Sequence, residues 1–432
     1  MTRTIGIRRE DKNIWERRVP LIPKDLERIL EDGDLAAVVQ PFPERVFADE
    51  AYRQAGARVA EDLSSCDLVL AVKEIPTALF QPGGAYVFFS HTIKAQPYNM
   101  AMLRRLLELG CTLIDYERIT DDKGRRLVFF SRQAGQAGMI DTLHLLGARL
   151  AAEGMDTPFV DLRMAHTYSD LDEAKAALAL VGAKIVEQGL PSAISPLVFG
   201  FAGYGNVSGG AQDVFDVLPA TPLTPDELEA GDLRCTGLVK VVFAESDMVE
   251  PQTPGAGFDL QEYFRHPERY RGRFARFLPR LHVLLNGIYW EDRYPRLVTN
   301  ADLRTLWESE AQPRLRLVGD VSCDIEGSIE CTVKSTMPDA PSYVFDPLTQ
   351  EHTMGFEGRG PVVMAVDNLP AELSRESSVF FSESLRGFVA DVVRADRSVP
   401  WQDYDVPPPI RRAVIAYNGE LTPDYGYLQR SL

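Results

Sequence analysis

The sequence predicts an α/β protein of two doubly wound domains, and three observations carry that reading. Short continuous apolar runs, clearest from Asp67 to Val72 (Asp-Leu-Val-Leu-Ala-Val), are typical of strands buried on both faces of a parallel sheet. Helical segments alternate with such runs through residues 1–130. A further run, Leu197 to Phe201, breaks into a glycine turn at Gly203 and Gly205 and resumes as a helix. A chain of 432 residues exceeds one ordinary core, so two or three domains are expected.

Taken in order, Ile5 to Arg8 and Ala36 to Gln40 read as strands flanking a helix that starts near Pro23. Tyr86 to Ser90 and Thr112 to Asp115 repeat the strand theme around a helix from Tyr98 to Leu109. Leu127 to Phe130 reads as a strand closed by Arg132. A long helix from Ala134 to Glu153 carries Met139, Ile140, Leu143, Leu146 and Leu150 on one side, and a second helix spans Leu171 to Val181. After the glycine turn, Val207, Ala211, Val214, Phe215 and Leu218 keep helical spacing. Leu238 to Phe243 and Leu315 to Asp320 are further strands of this second domain. Between them, Phe258 to Tyr294, rich in arginine and aromatics, reads as an elaboration. Val362 to Val366 is a strand ending at Asp367-Asn368-Leu369-Pro370, and Ser382 to Val393 is a helix. The expected division is 1–131 for the first part of a substrate and catalytic domain, 132–350 for a dinucleotide domain, and 351–432 for a return to the first.

Composition narrows the function. Apolar residues at 45% suit packed domains, and a formal net charge of −17 argues against nucleic acid or an anionic membrane as partner. Anionic substrates would then need a local cluster of arginine and lysine. No run reaches the roughly 20 apolar residues of a membrane span, and Met1 to Lys12 has no apolar signal core. Five widely spaced cysteines without Cys-x-x-Cys fit reduced thiols in a cytoplasmic protein. No His/Cys/Asp/Glu grouping has metal-ligand spacing, so no metal is expected.

The stretch Gly203-Tyr204-Gly205-Asn206-Val207-Ser208 is a candidate pyrophosphate cradle, because bare backbone approaches an anion closely and a helix N-terminus presents unpaired N–H groups. Ser208 occupies the place of a third glycine, with Gly209 and Gly210 after it; a purely structural turn is the competing reading. Three strand ends of the first domain carry polar residues: Lys73-Glu74, then Ser90-His91-Thr92-Ile93-Lys94, then Asp115-Tyr116-Glu117. Any one of them reads as a solvated strand cap. Together, opposite a nucleotide turn, a lysine, a histidine and a carboxylate read as an acid–base cluster. Arg17-Arg18, Arg125-Arg126 and Arg132 are available to grip carboxylates.

These stretches carry a family resemblance. Residues Arg8 to Leu21 (Arg-Arg-Glu-Asp-Lys-Asn-Ile-Trp-Glu-Arg-Arg-Val-Pro-Leu) resemble the opening of lysine–ketoglutarate reductases, the N-terminal half of bifunctional aminoadipic semialdehyde synthases. The likeness continues through Val72 to Pro76, through Phe88 to Met100 with its specific Ser-His-Thr-Ile-Lys-Ala-Gln-Pro-Tyr-Asn run, and through Leu113 to Glu117. It resumes at Gly205 to Ser208, Asn286 to Glu291, Asp324 to Glu330, Val366 to Pro370 and Leu421 to Tyr425. The wider superfamily holds saccharopine dehydrogenases, alanine dehydrogenases and transhydrogenase domains.

The resemblance implies two Rossmann-like domains with a cleft between them, and a reaction that condenses lysine with 2-oxoglutarate and reduces the imine to saccharopine. It implies Lys73 and His91 as the acid–base pair and Glu117 as the carboxylate that tunes the lysine. Arg18, Lys94 and Arg126 become substrate anchors, and Asp367 closes the cleft near the substrate amine. It implies NADPH as cofactor, with NADH as the alternative, held by residues 203–208. The chain stops where a glutamate-forming saccharopine dehydrogenase would begin, so it reads as a stand-alone reductase. Such an enzyme as a separate partner, and a homo-oligomer, stay open. About 20 residues past Gly203, where a ribose-binding acid is expected, lies Ala220 to Thr224; Asp226 and Glu227 follow, as ribose ligands or helix caps. Two rivals stay open: a reductive amination with another amine or oxo-acid, as in opine-type dehydrogenases, and a cofactor-sensing module without turnover.

Overall fold

The computed structural model describes residues 2–231 and 235–432. It divides into two compact units: Met1–Phe130 with Ser374–Leu432, and Ser131–Leu373.

In the first unit the alternation of apolar runs and helices gives β1 (Arg3–Ile7), β2 (Leu35–Val39), β3 (Arg58–Val59), β4 (Leu68–Leu70), β5 (Ala85–Phe88) and β6 (Thr112–Asp115). In the second unit follow β7 (Leu197–Ala202), β8 (Ala220–Leu223), β9 (Leu238–Phe243), the small pair β10 (Val249–Pro251) and β11 (Tyr270–Gly272), and β12 (Val283–Asn286). Then come β13 (Leu317–Asp320), β14 (Ser342–Phe345), β15 (His352–Met354) and β16 (Val362–Met364). The chain returns to the first unit for β17 (Val414–Tyr417) and β18 (Glu420–Leu421). The first sheet has the order β18-β17-β6-β5-β4-β1-β2-β3, parallel from β6 to β3. The second has the order β15-β14-β16-β13-β12-β7-β9-β8, parallel from β16 to β8.

Four elements differ from the sequence reading. Val283–Asn286, inside the expected elaboration, is a fully buried central strand between β7 and β13. Leu127 to Phe130 forms no strand: Phe129 and Phe130 seat against Phe380 and Phe381, so their apolar character serves helix packing instead of a ladder. The return helix spans Ser374–Arg394 and starts eight residues earlier than Ser382. Its first turns are rich in serine, which masks them as loop, yet Ser378 Oγ accepts the N–H of Val19 and Ser382 Oγ that of Ile22, both at 3.0 Å. Residues 351–373, expected in the return, belong to the second unit, because β15 pairs with β14 and β16 with β13.

Candidate active site

At the carboxyl ends of β1, β4, β5 and β6, which are neighbours in the sheet, loops bring polar side chains together. After β4 the loop is fixed from below. The carboxylate of buried Glu10, just beyond β1, accepts the backbone N–H groups of Val72 at 2.6 Å and Lys73 at 3.0 Å. Burial, with neighbouring Glu16, pushes the Glu10 carboxyl up to about 7 against those two hydrogen bonds. Lys73 emerges half-buried from this anchored backbone.

After β5, His91 adopts a left-handed backbone, φ 51°, a conformation that costs energy for any residue but glycine and marks sites the surroundings over-determine. Asn99 Nδ2 donates to the His91 carbonyl at 2.9 Å, and His91 Nδ1 meets Glu74 Oε1 at 2.7 Å. The other Glu74 oxygen accepts from Lys12 Nζ at 2.6 Å. Burial works against ionisation of Glu74, but the hydrogen bonds from His91 and Lys12 outweigh it and hold the carboxyl at about 2. An ionised Glu74 only accepts, which assigns the proton of a neutral His91 to Nδ1 and leaves Nε2 as the basic nitrogen.

After β6, buried Asp115 accepts from the backbone N–H of Ser90 at 3.1 Å, from Ser90 Oγ, and from the N–H of Glu117 at 2.8 Å. Burial lifts its carboxyl to about 6. Asp115 thereby ties the β6 end to the residue preceding His91. Glu117 forms an ion pair with half-exposed Arg126. Arg18 is buried, its Nε and Nη2 held by Glu16 at 2.7 and 2.6 Å and its guanidinium 4.3 Å over the Phe130 ring. Lys94 is exposed and makes no hydrogen bond among the described residues. Asp367 belongs to the second unit, where its N–H donates to the Thr336 carbonyl at 3.0 Å.

The first unit thus brings Lys73, His91, Glu117 and Arg126 to adjoining strand ends, and it encloses Arg18. Glu10, Glu16 and the role of Glu74 escaped the sequence reading. Glu74 had a signal, adjacency to Lys73; the others are acids that only folding carries to their partners.

In the second unit, Gly203 has φ 86° and a Cβ there would lie 3.0 Å from Ile288, whereas a Cβ on Gly205 would meet nothing. The helix Asn206–Phe215 starts without a side-chain cap, so its first N–H groups are left for a ligand. Ser208 in place of a third glycine leaves the packing intact, because the glycine requirement has moved to its neighbours. A Cβ on Gly287 would lie 2.9 Å from Ser208 N, and one on Gly210 only 2.0 Å from the Arg132 carbonyl oxygen. Residues 203–208 therefore fit a dinucleotide pyrophosphate. Glu227 is committed to a capping box with Thr224. Among the described residues no group of three or more His, Cys, Asp or Glu is placed to hold a metal ion, and no helix is long and apolar enough to cross a membrane.

Comparison with known proteins gives a consistent picture. Residues 6–137 match the family model for the alanine dehydrogenase/PNT N-terminal domain. The chain is 39% identical to an alpha-aminoadipic semialdehyde synthase of Arabidopsis thaliana, over 99% of this chain and 41% of that protein. It is 38% identical to the mitochondrial alpha-aminoadipic semialdehyde synthase of Rattus norvegicus, over 99% of this chain and 47% of the relative. It thus spans less than half the length of these curated relatives. A saccharopine dehydrogenase [NAD(+), L-lysine-forming] of Emericella nidulans is 26% identical over 92% of this chain and 94% of its own. Among solved structures, an L-alanine dehydrogenase superposes with a TM-score of 0.65 at 17% identity, covering 99% of this chain and 98% of that one, which shows a shared fold.

Proposed function

The chain belongs with the alpha-aminoadipic semialdehyde synthases and saccharopine dehydrogenases, and from that premise we propose that it is an oxidoreductase joining the ε-amine of lysine to 2-oxoglutarate and reducing the imine to saccharopine. The observation that carries the chemistry is the bond between His91 Nδ1 and ionised Glu74, at the end of the strand beside Lys73.

Condensation requires protons to leave the attacking amine and to reach the departing carbinolamine oxygen. His91 Nε2 takes the first, with Glu74 steadying the imidazolium that results. Lys73, held by the Glu10-anchored backbone, donates the second and takes it back in the reverse direction. Arg126, with Lys94 three residues beyond His91, grips substrate carboxylates; Glu117 keeps the guanidinium oriented until they arrive. Arg18 is the buried support of this face. A nicotinamide dinucleotide held by residues 203–208 would supply the hydride.

The test mixes purified protein with lysine, 2-oxoglutarate and NADH or NADPH. Lysine-dependent oxidation of the reduced cofactor, with a product of the mass of saccharopine, is expected. Lys73→Ala should bind the cofactor and lose turnover. A protein that binds a dinucleotide but oxidises it with neither lysine nor 2-oxoglutarate present as required partners is not this enzyme.

A further inference from the structure

We propose that Glu245 holds the adenosine ribose of the cofactor and makes this chain select NADH over NADPH, an inference that rests on the dinucleotide reading of residues 203–208. It reverses the NADPH expectation drawn from family resemblance. The argument starts from strand order. In the usual dinucleotide fold, the strand after the glycine-turn helix lies beside the glycine strand, and an acid at its end meets the ribose hydroxyls. Here the chain leaves the helix Asn206–Phe215 for β8 at the outer edge and only then returns to β9, which pairs directly with β7. A spacing of about 20 residues from the turn therefore points to the wrong strand, displaced outward by a further strand spacing of about 4.8 Å. The position next to the turn is the end of β9.

Register then selects the residue. Ala202 pairs with Phe243, so the residues two beyond each, Tyr204 and Glu245, come level. Tyr204 Oη donates to Glu245 Oε2 at 2.9 Å, which sets the carboxylate at the lip of the glycine turn. No hydrogen bond from a described residue engages Oε1, and Glu245 is in no ion pair among them. The other acids nearby are occupied: Asp247 accepts the N–H of Ala244 at 2.8 Å, and Glu227 belongs to its capping box. Three basic side chains of this unit are matched with other carboxylates: Lys240 with Asp216 at 2.6 Å, Arg276 with Glu229 at 2.9 Å, and Arg271 with Glu250 at 2.7 Å. A ribose with two hydroxyls finds an acceptor at Glu245. A 2′-phosphate finds a carboxylate where it needs a guanidinium.

The experiment measures dissociation constants of NADH and NADPH by nicotinamide fluorescence, without substrates, for the wild type, Glu245→Ser and Glu245→Gln. Asp226→Ser, beyond outer strand β8, is the control. The wild type is expected to bind NADH at least tenfold more tightly than NADPH. Glu245→Ser and Glu245→Gln should each narrow that ratio about tenfold, and Asp226→Ser should leave it unchanged. Equal or tighter NADPH binding by the wild type, or a ratio that neither Glu245 variant moves, overturns the assignment; lysine-dependent turnover in that same protein would leave the enzyme reading standing. Absence of binding by both dinucleotides overturns the two together.

Discussion

Glu10 and Lys73 are joined through the backbone: the buried carboxylate accepts the Lys73 N–H at 3.0 Å while holding Val72 at 2.6 Å. Parallel strands β1 and β4 end just below, and Glu10 continues their cohesion into the loop that presents the proposed catalytic lysine. Glu10→Gln keeps the volume but leaves one acceptor oxygen for two N–H groups. Turnover should fall about tenfold with KM for both substrates near its original value. A change confined to KM would show that this bond does not position Lys73.

Glu74 makes a second, pH-dependent prediction. Its carboxyl sits at about 2 in the folded protein against 4.5 ordinarily, so its stabilisation is present above 4.5 and is lost as pH falls from there towards 2. Glu74→Gln should lower stability by about 1 kcal/mol at pH 7, allowing for solvent around half-exposed His91. The deficit should shrink to less than half by pH 3 and close only near pH 2 in urea titrations. Turnover should drop on the order of 100-fold, since an amide no longer fixes the His91 tautomer.

The helices Ser131–Ala152 and Asn206–Phe215 meet through bare backbone. A Cβ on Gly135 would lie 1.8 Å from the Val207 carbonyl oxygen and one on Gly210 2.0 Å from that of Arg132, whereas one on Gly209 would meet only Arg132 Nη1 at 3.7 Å. Gly135→Ala and Gly210→Ala should each cost about 3 kcal/mol or more and weaken dinucleotide binding with it. Gly209→Ala should be neutral or stabilising by up to about 1 kcal/mol, as helix propensity favours alanine. Thermal unfolding of the three variants checks the contrast.

Asp141 and Glu372 form a buried carboxyl pair in the second unit. Asp141 Oδ1 accepts the N–H of Ala165 at 2.8 Å, and Glu372 Oε2 that of His166 at 3.2 Å. Burial raises both carboxyls, Asp141 well above its ordinary range with Glu372 adding to it, and Glu372 to about 7. The folded state therefore binds a proton that the unfolded state releases above 4.5, and stability is lost as pH rises from 4.5 through 7. Glu372→Gln supplies a permanent N–H in place of the shared proton. It should flatten the decline and gain on the order of 2 kcal/mol at pH 8, with little gain at pH 5. Melting curves at the two pH values decide it.

What the sequence could disclose depended on whether a residue's role was local. Thr112–Asp115 and Leu238–Phe243 were legible to the residue, because strands inside a parallel sheet are dominated by apolar residues between turn signals. Val283–Asn286 is as short and buried as Thr112–Asp115 but lies in a stretch of arginines and aromatics that hides it. Lys73 and His91 stood out as polar groups following apolar runs. Glu10 and Glu16 did not, since a carboxylate destined for burial looks like any surface acid until its donors are known. Glu245 was beyond reach for a topological reason: a rule of sequence spacing holds only where strand order is the usual one.

The serines that seat Val19 and Ile22 lie 359 and 360 positions further along the chain. During synthesis the whole of Ser131–Leu373 emerges between the two halves of the first unit. At ribosomal rates of about 5–20 residues per second, those roughly 240 residues take about 10–50 s. For that interval the N-terminal segment has β1 to β6 but neither the helix Ser374–Arg394 nor β17 and β18, while the inserted unit is already free to fold. The nascent protein thus matures from the middle outward, and Val19 and Ile22 are among the last groups to receive their partners.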